Sequence, residues 1–305
     1  MKYAPIALFT YNRADHTQKA VESLLRNEEA KESDLFIFSD GPKTEAKKAG
    51  VEENRKYIHS ISGFRSVTIV ERDCNWGLSK SLIAGITEIT EKFGRVIVVE
   101  DDLIVSPYFL CYMNDALEKY EDDERVASVS AFLNPVDVQA PETFFLRYFA
   151  CWGWATWKRA WKLFNPDSRD LLKKIRWKTR EFNIDGKGPF YGILYCDKIG
   201  LNDSWAVRFY ASCFLKGKLH LFPGQSMAIQ SGMDGTGTHS GVNSIFSNMR
   251  LAQEPIDIGN IAVEEEKKMY QAFARFYDKQ HNHTLKGKIN KVKSFIRRLL
   301  GLDFR

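Results

Sequence analysis

Short apolar runs alternate with helix-spaced segments through the first third of the chain. Ile6 to Thr10 is apolar and short, and Ala14 to Arg26 follows with Ala20, Val21, Leu24 and Leu25 at helical spacing. Leu35 to Phe38 is a second apolar run, which Ser39-Asp40-Gly41-Pro42 stops with strong turn chemistry. The pattern then predicts a polar helix over Lys43 to Ser60, a strand over Val67 to Val70, a helix over Leu78 to Phe93, and a β-branched strand over Arg95 to Val99. Strands apolar along their whole length are covered on both faces, and β-α repetition sets them parallel. The chain reads as α/β, with a mostly parallel central sheet flanked by helices.

Past Glu100-Asp101-Asp102, Ser106-Pro107 opens a helix to about Tyr120, with Pro in its first turn, and Val126 to Ser130 is the next strand. From Asn134 the periodicity loosens. Phe144 to Phe164 is rich in aromatics and holds Trp152, Trp154, Trp157 and Trp161. A helix is expected over Ser204 to Lys216, ended by Gly217, and a strand over Leu219 to Phe222. Met233 to Gly241 is a glycine-rich loop containing His239, and tail helices are expected at about Glu264 to Lys279 and Lys286 to Leu300. The expected division is one unit over 1–262, with halves 1–133 and 134–262, followed by a basic helical tail over 263–305.

Composition narrows the classes. With 305 residues, 44% of them apolar and 27% charged, the chain has a core to bury, so neither a disordered chain nor a multi-span membrane protein fits. A net charge of +5 is too mild to imply a nucleic-acid partner. Five scattered cysteines, with no Cys-x-x-Cys pair, suit reduced thiols in a cytosolic compartment. The run Ile6 to Phe9 is too short for a signal peptide, and nowhere do eighteen apolar residues follow one another. No Walker or dinucleotide glycine motif is present, which argues against ATP hydrolysis and hydride transfer.

The chemistry concentrates at Glu100-Asp101-Asp102. In open parallel sheets ligands bind beyond the carboxyl ends of the strands, which is where these acids stand. Adjacent carboxylates repel unless a cation offsets them, and hard divalent ions prefer oxygen ligands. A diphosphate leaving group needs such a cation. A solvated acidic turn before the next helix is the plainer alternative from position alone.

Val96-Ile97-Val98-Val99-Glu100-Asp101-Asp102-Leu103, with Ser106-Pro107-Tyr108-Phe109 and Ser128-Val129-Ser130-Ala131, resembles the GT-A glycosyltransferases related to N-acetylglucosaminyltransferase I. Their bacterial relatives that build surface polysaccharides are the nearest in pattern, and the resemblance runs from about Pro5 to His239. It implies that Asp102 binds Mn²⁺ (or Mg²⁺) carrying the nucleotide-sugar diphosphate, and that Glu100 and Asp101 reach the ribose and the donor sugar. Thr10, Asn12 and Arg13 then contact base and diphosphate, and Asp40 hydrogen-bonds the base. Separately, Asn75 to Lys80 precedes a helix whose N-terminus can face phosphate, where Lys80 would add charge. Trp154 packs on the donor sugar, while Trp157 and Trp161 serve packing alone. His239, on its glycine-rich loop, is expected to complete the metal shell or touch the diphosphate.

The acceptor hydroxyl needs a general base. Asn202-Asp203-Ser204-Trp205 resembles the family segment that carries it, although the eukaryotic members place Asp directly before Trp, where this chain has Ser204. Asp203 is therefore the expected base, and as a plainer role it would cap the helix that follows. The expected reaction is inverting transfer of a sugar, GlcNAc or another hexose, from a UDP-linked donor to a glycan acceptor. Nucleotidyl transfer onto sugar phosphates and a non-catalytic, membrane-peripheral scaffold are the competing readings. In the tail, Lys286, Lys288, Lys291, Lys293, Arg297 and Arg298 interleave with apolar residues at helical spacing. Such a helix suits the inner surface of a cytoplasmic membrane and a lipid-linked acceptor.

Overall fold

The computed structural model describes residues 3–231, 246 and 249–280. His239 and the basic stretch 286–300 lie outside the described residues, so the expectations placed on them are not addressed by the fold.

The elements follow in the order β1 (Ile6–Thr10), α1 (Ala14–Leu25), β2 (Asp34–Ser39), α2 (Lys48–Ile58), β3 (Ser66–Glu71), α3 (Leu78–Phe93), β4 (Arg95–Glu100), β5 (Leu103–Val105), α4 (Phe109–Lys119) and β6 (Val126–Ser130). Then come β7 (Thr143–Leu146), β8 (Trp154–Trp157), α5 (Lys158–Trp161), α6 (Ser168–Ile175), α7 (Thr179–Phe182), α8 (Phe190–Lys198), α9 (Trp205–Leu215), β9 (Leu219–Pro223) and β10 (Ala228–Gln230). A last helix, α10, covers 267–280.

One eight-stranded sheet runs β3-β2-β1-β4-β8-β6-β9-β7. The first four strands are mutually parallel, β8 runs antiparallel to both β4 and β6, and β6 pairs parallel with β9. The α/β expectation holds, and the sheet is mostly parallel. Along β1, Ile6 and Leu8 face one core and Ala7 and Phe9 the other, so helices must cover both faces.

The loosened stretch after Asn134 is where sequence and structure part. Trp154–Trp157 is a central strand, not only an aromatic packing segment, and β5, β7 and β10 have no counterpart in the periodicity. Short strands of three or four residues cannot show a period. Helix α4 begins at Phe109 rather than Ser106, because Val105 is still paired with Ala228 in the β5–β10 ribbon. All five cysteines are free, and among the described residues no helix is long and apolar enough to cross a membrane.

His220 of β9 is fully buried, with Nδ1 2.7 Å from the Ser128 hydroxyl and the ring packed near Phe149. Burial pushes its pKa down to about 3. The unfolded chain titrates near 6.5, so between about pH 6.5 and pH 3 the unfolded state binds a proton that the folded state refuses. Stability is thus complete above pH 6.5 and falls on acidification, by up to about 1.4 kcal/mol per pH unit. Urea-unfolding midpoints of His220→Gln, followed from pH 7 to pH 4, should decline less steeply than those of the parent. Parallel slopes would remove His220 as the cause.

Candidate active site

The acid turn stands where the parallel half of the sheet meets β8. Strand pairing reaches one step into it, since the Asp101 N–H donates to the Phe9 carbonyl at 3.0 Å. On its far side β5 pairs with β10 in the register Leu103↔Gln230, and the Asp102 carbonyl accepts from the Ser231 N–H at 2.7 Å and its hydroxyl at 3.0 Å. The turn is pinned from both sides.

Arg13, at the start of α1, enters between the carboxylates. Its Nη2 donates to Asp101 Oδ1 at 2.7 Å and to Asp102 Oδ2 at 2.9 Å. Asp101 Oδ2 also accepts from the Tyr11 N–H at 3.3 Å, and Gln230 Nε2 reaches Asp102 Oδ2 at 3.4 Å. Burial raises the Asp101 carboxyl and Arg13 opposes that rise. Glu100 lacks such a partner, and lost hydration together with repulsion from Asp102 and Asp101 pushes it up to about 8. Burial alone would weaken the Arg13 charge, but the two aspartates more than offset it and hold the guanidinium above its ordinary value.

No three His, Cys, Asp or Glu side chains converge as a complete metal-ligand set among the described residues. The donor chemistry still suits a hard divalent ion. Asp102 Oδ1 and both Glu100 carboxylate oxygens have no protein hydrogen bond among the described residues. Ions such as Mg²⁺ are commonly held by one or two carboxylates, with substrate phosphates and water completing the shell.

The nucleotide-side expectations divide. Asp40 Oδ1 accepts from the Gly41 and Trp76 N–H groups at 2.9 and 2.8 Å, and Oδ2 from Asn75 Nδ2 at 3.0 Å and the Gly77 N–H at 2.8 Å. A carboxylate offers about four acceptor sites. The Gly41 N–H takes one and the 75–77 loop the other three, so Asp40 orders that loop and keeps no acceptor for a base, contrary to the sequence expectation. Thr10 Oγ1 accepts from buried Asn54 at 3.0 Å, and Asn12 lies against α2 at Gly50, where a Cβ would come within 2.9 Å of its carbonyl. Lys80 is exposed, its ammonium 4.3 Å from the Trp76 ring centroid.

On the opposite rim Asp203 is 67% exposed and accepts from Arg208 Nη2 at 2.5 Å. Ser204, not Asp203, caps α9 through Val207. Arg208 Nη2 also donates to Ser79 Oγ of α3 at 2.7 Å, which joins the rim to the loop held by Asp40. Trp154 is corrected. It is wholly enclosed by Phe149, Trp161, Trp205 and Phe209, so its ring is core and presents no face to a sugar. Half-buried Trp152 is placed differently: the pairing of β8 with β4 stops at Val98↔Trp154, and Trp152 precedes that pair by two residues. Trp152 lines a cavity of about 580 Å³ with Phe132, Tyr148, Cys151, Phe190 and Tyr277. Burial raises the Cys151 thiol, and the charges of Glu100 and Asp102 raise it further, so cavity and acids adjoin.

The family model of glycosyl transferase family 2 matches residues 6–181, more than half of the chain. The chain belongs to glycosyl transferase family 2. The matched stretch contains Arg13, Asp40, Lys80 and the acid turn, while Asp203 lies beyond it. A curated relative, the alpha-1,3-mannosyl-glycoprotein 2-beta-N-acetylglucosaminyltransferase of Arabidopsis thaliana, is 23% identical over 239 residues, which is 67% of this chain and 52% of that protein. The family 2 chain thus spans about half the length of that relative. Among solved structures, the mannosyltransferase PcManGT from Pyrobaculum calidifontis, in complex with GDP-Man and Mn²⁺, aligns with a TM-score of 0.37 at 14% identity over 70% of this chain and 75% of that one. A UDP-glucose pyrophosphorylase complexed with UDP-glucose gives 0.36 at 11% over 72% and 90%. S. aureus TarS gives 0.30 at 13% over 45% and 23%. At these TM-scores the three likenesses carry no weight for the chemistry of this chain.

Three residues of this family 2 site have little signal in the sequence. Gln230 and Ser79 are single polar residues whose partners are remote in the chain, and Arg208 shows only as a basic residue one helical turn and a half past Asp203. Arg13 is the one with the largest predicted consequence. Arg13→Ala strips the counter-charge from nearly buried Asp101 and should cost about 3 kcal/mol of stability. Arg13→Lys should recover only part, because a single ammonium cannot reproduce the planar fork. Chemical-denaturation midpoints check both, and a parent-like Arg13→Ala would show the pair to be dispensable.

Proposed function

We propose that the chain is an inverting, metal-dependent glycosyltransferase that moves GlcNAc or another hexose from a UDP-linked donor to a glycan acceptor of bacterial surface polysaccharide. Supporting this is one observation above the rest: an acid triplet closing a central strand of a family 2 domain, with carboxylate oxygens free of protein partners among the described residues. In this reading 1–133 is the nucleotide-sugar half, 134–262 the acceptor half, and 263–305 a peripheral tail on the cytoplasmic face of the membrane.

Asp102 and Glu100 hold Mn²⁺ or Mg²⁺, with His239 as a further ligand. The bound ion supplies charge neutralisation for the diphosphate as the anomeric C–O bond breaks. Arg13 holds Asp101 and Asp102 in place, and its Nη1, buried without a partner among the described residues, is available to an anionic oxygen. Asp101, already engaged by Arg13 and Tyr11, orients the turn. Thr10, Asn12 and Lys80 line the approach for base and phosphate.

Asp203 takes the proton from the acceptor hydroxyl as that oxygen attacks the anomeric carbon from the face opposite the diphosphate. One displacement of this kind inverts the anomeric configuration. Arg208 holds the Asp203 carboxylate through its 2.5 Å hydrogen bond. In place of enclosed Trp154, the half-buried Trp152 offers an aromatic face to the sugar.

Thermal shifts with UDP, GDP, TDP and CDP, with Mn²⁺ or with chelator, test the donor side. One diphosphate should stabilise the parent in a metal-dependent manner, and Asp102→Ala should lose that gain. Stabilisation by a nucleoside triphosphate alone would favour nucleotidyl transfer, and no metal-dependent shift with any nucleotide would favour the scaffold. Asp203→Asn should keep the donor shift and lose about a thousandfold in turnover. Undiminished turnover would take Asp203 out of the mechanism.

A further inference from the structure

We infer that the exposed face of α6 and α8, from Arg169 to Leu201, is a docking surface for an anionic lipid bilayer. Residues 169–180 carry six basic side chains and one acid. Their balance of +5 equals that of the whole chain, so the charge excess is local. Helix α6 buries Leu171, Leu172 and Ile175 and turns Arg169, Lys173 and Arg176 outward.

Internal pairing does not use up these charges. Asp170 takes Lys174 at 2.5 Å and Asp185 takes Arg180 at 2.7 Å, but Arg169, Lys173, Arg176 and Lys178 form no ion pair among the described residues. Trp177 stands between two of these basic residues and is 83% exposed, with the Arg176 guanidinium 4.9 Å from its ring centroid. An indole left in water beside unpaired cations is the pattern of a membrane interface, where the ring settles at headgroup depth and the basic chains reach phosphate.

Helix α8 extends the face. Its end is tied to the start of α6 where the Ser168 hydroxyl meets the Asp197 carboxylate, and Tyr195 in the helix and Ile199 and Leu201 just past it are exposed, the last by 74%. Lys198 sits 5.6 Å from the Tyr195 ring centroid and is exposed too. The large apolar side chains are spaced among cations rather than gathered into one dry patch. A protein partner would need an apolar centre with charge at the rim, whereas a bilayer accepts this interleaving.

The face ends at the crevice, because Leu201 is two residues before Asp203. Resting on the glycosyl-transfer reading, this would present a lipid-borne acceptor to the base. The surface is separate in sequence from the basic tail, since it lies between Arg169 and Leu201.

Co-sedimentation of the full chain with vesicles tests the surface without any nucleotide. Vesicles of phosphatidylglycerol and phosphatidylcholine should bind the parent at physiological salt, and vesicles of phosphatidylcholine alone should bind it far less. The triple variant Lys173→Glu, Arg176→Glu, Lys178→Glu should weaken binding at least about tenfold. Trp177→Ala with Leu201→Ser should weaken it severalfold while leaving the charge intact. All five positions are exposed, so unchanged melting temperatures confirm that the variants are folded. Full vesicle binding by the triple variant, with the tail intact, would overturn the inference. So would equal binding to neutral vesicles, an absence of binding, or a preference for polyglutamate that Trp177→Ala leaves unaltered. The diphosphate thermal shift should be the same in parent and variants, so its failure and the failure of this surface are read separately.

Discussion

A guanidinium set between two carboxylates decides whether the crevice can hold its charge. Glu100, Asp101 and Asp102 follow one another at a strand end, and Asp101 is almost enclosed. Without a cation of its own the turn would relieve repulsion by taking up protons, as the raised Glu100 already shows. Arg13 opposes the rise at Asp101 and bridges both aspartates through one nitrogen, at 2.7 and 2.9 Å. It can do so only because β1 lies beside β4 in parallel, so that both strands end at the same edge and residues just past β1 face residues just past β4. The order of the sheet and the survival of the acid turn are one constraint.

The strand on the other side of β4 has a second task. By entering antiparallel between β4 and β6, β8 brings its leading residues, Cys151 to Gly153, to the edge where the acids stand. Gly153 has φ +69°, and a Cβ there would meet the side chains of Ala228 and Ala131 at 3.1 and 3.2 Å. That close approach lets the Ala131 N–H bond the Gly153 carbonyl at 2.8 Å and leaves Trp152 on the cavity side while Trp154 is driven into the core. Two tryptophans two residues apart would share a face in a regular strand. The left-handed glycine between them ends the regular strand, so one lines a cavity and the other supports it.

This explains how much of the molecule is legible in the chain. The β-α alternation up to Val99 is written in apolar runs long enough to count, and the acids stand out because three carboxylates at a strand end need a reason. Arg13 is legible as a candidate, but its pairing with Asp101 and Asp102, 88 and 89 residues away, is a matter of strand order. Asp40 misleads for a related reason: an Asp-Gly-Pro turn announces an acid at a strand end but not that its own Gly41 N–H and the 75–77 loop together fill the acceptor sites. The tryptophans are the hardest, because aromatic content marks burial and ligand contact alike, and a single glycine dihedral separates the two outcomes.

Asp40, Arg208 and Asp203 together suggest how the two rims are kept in register. Asp40 fixes residues 75–77, the loop leads directly into the first turn of α3, and Ser79 there receives Arg208 from α9. Arg208 has a nearby acid on either hand, Asp203 at 2.5 Å and the more enclosed Asp197 at 3.8 Å. Asp197 is already bonded to the Ser204 N–H at 2.6 Å and to Ser168, so it anchors the start of α9 and has little freedom. Asp203 has the exposure that Asp197 lacks, and among the described residues Arg208 alone restrains its side chain. In the proposed reaction, a carboxylate that meets an incoming hydroxyl needs that combination: fixed at one oxygen, open at the other, and tied through a rigid helix start to the loop that Asp40 holds.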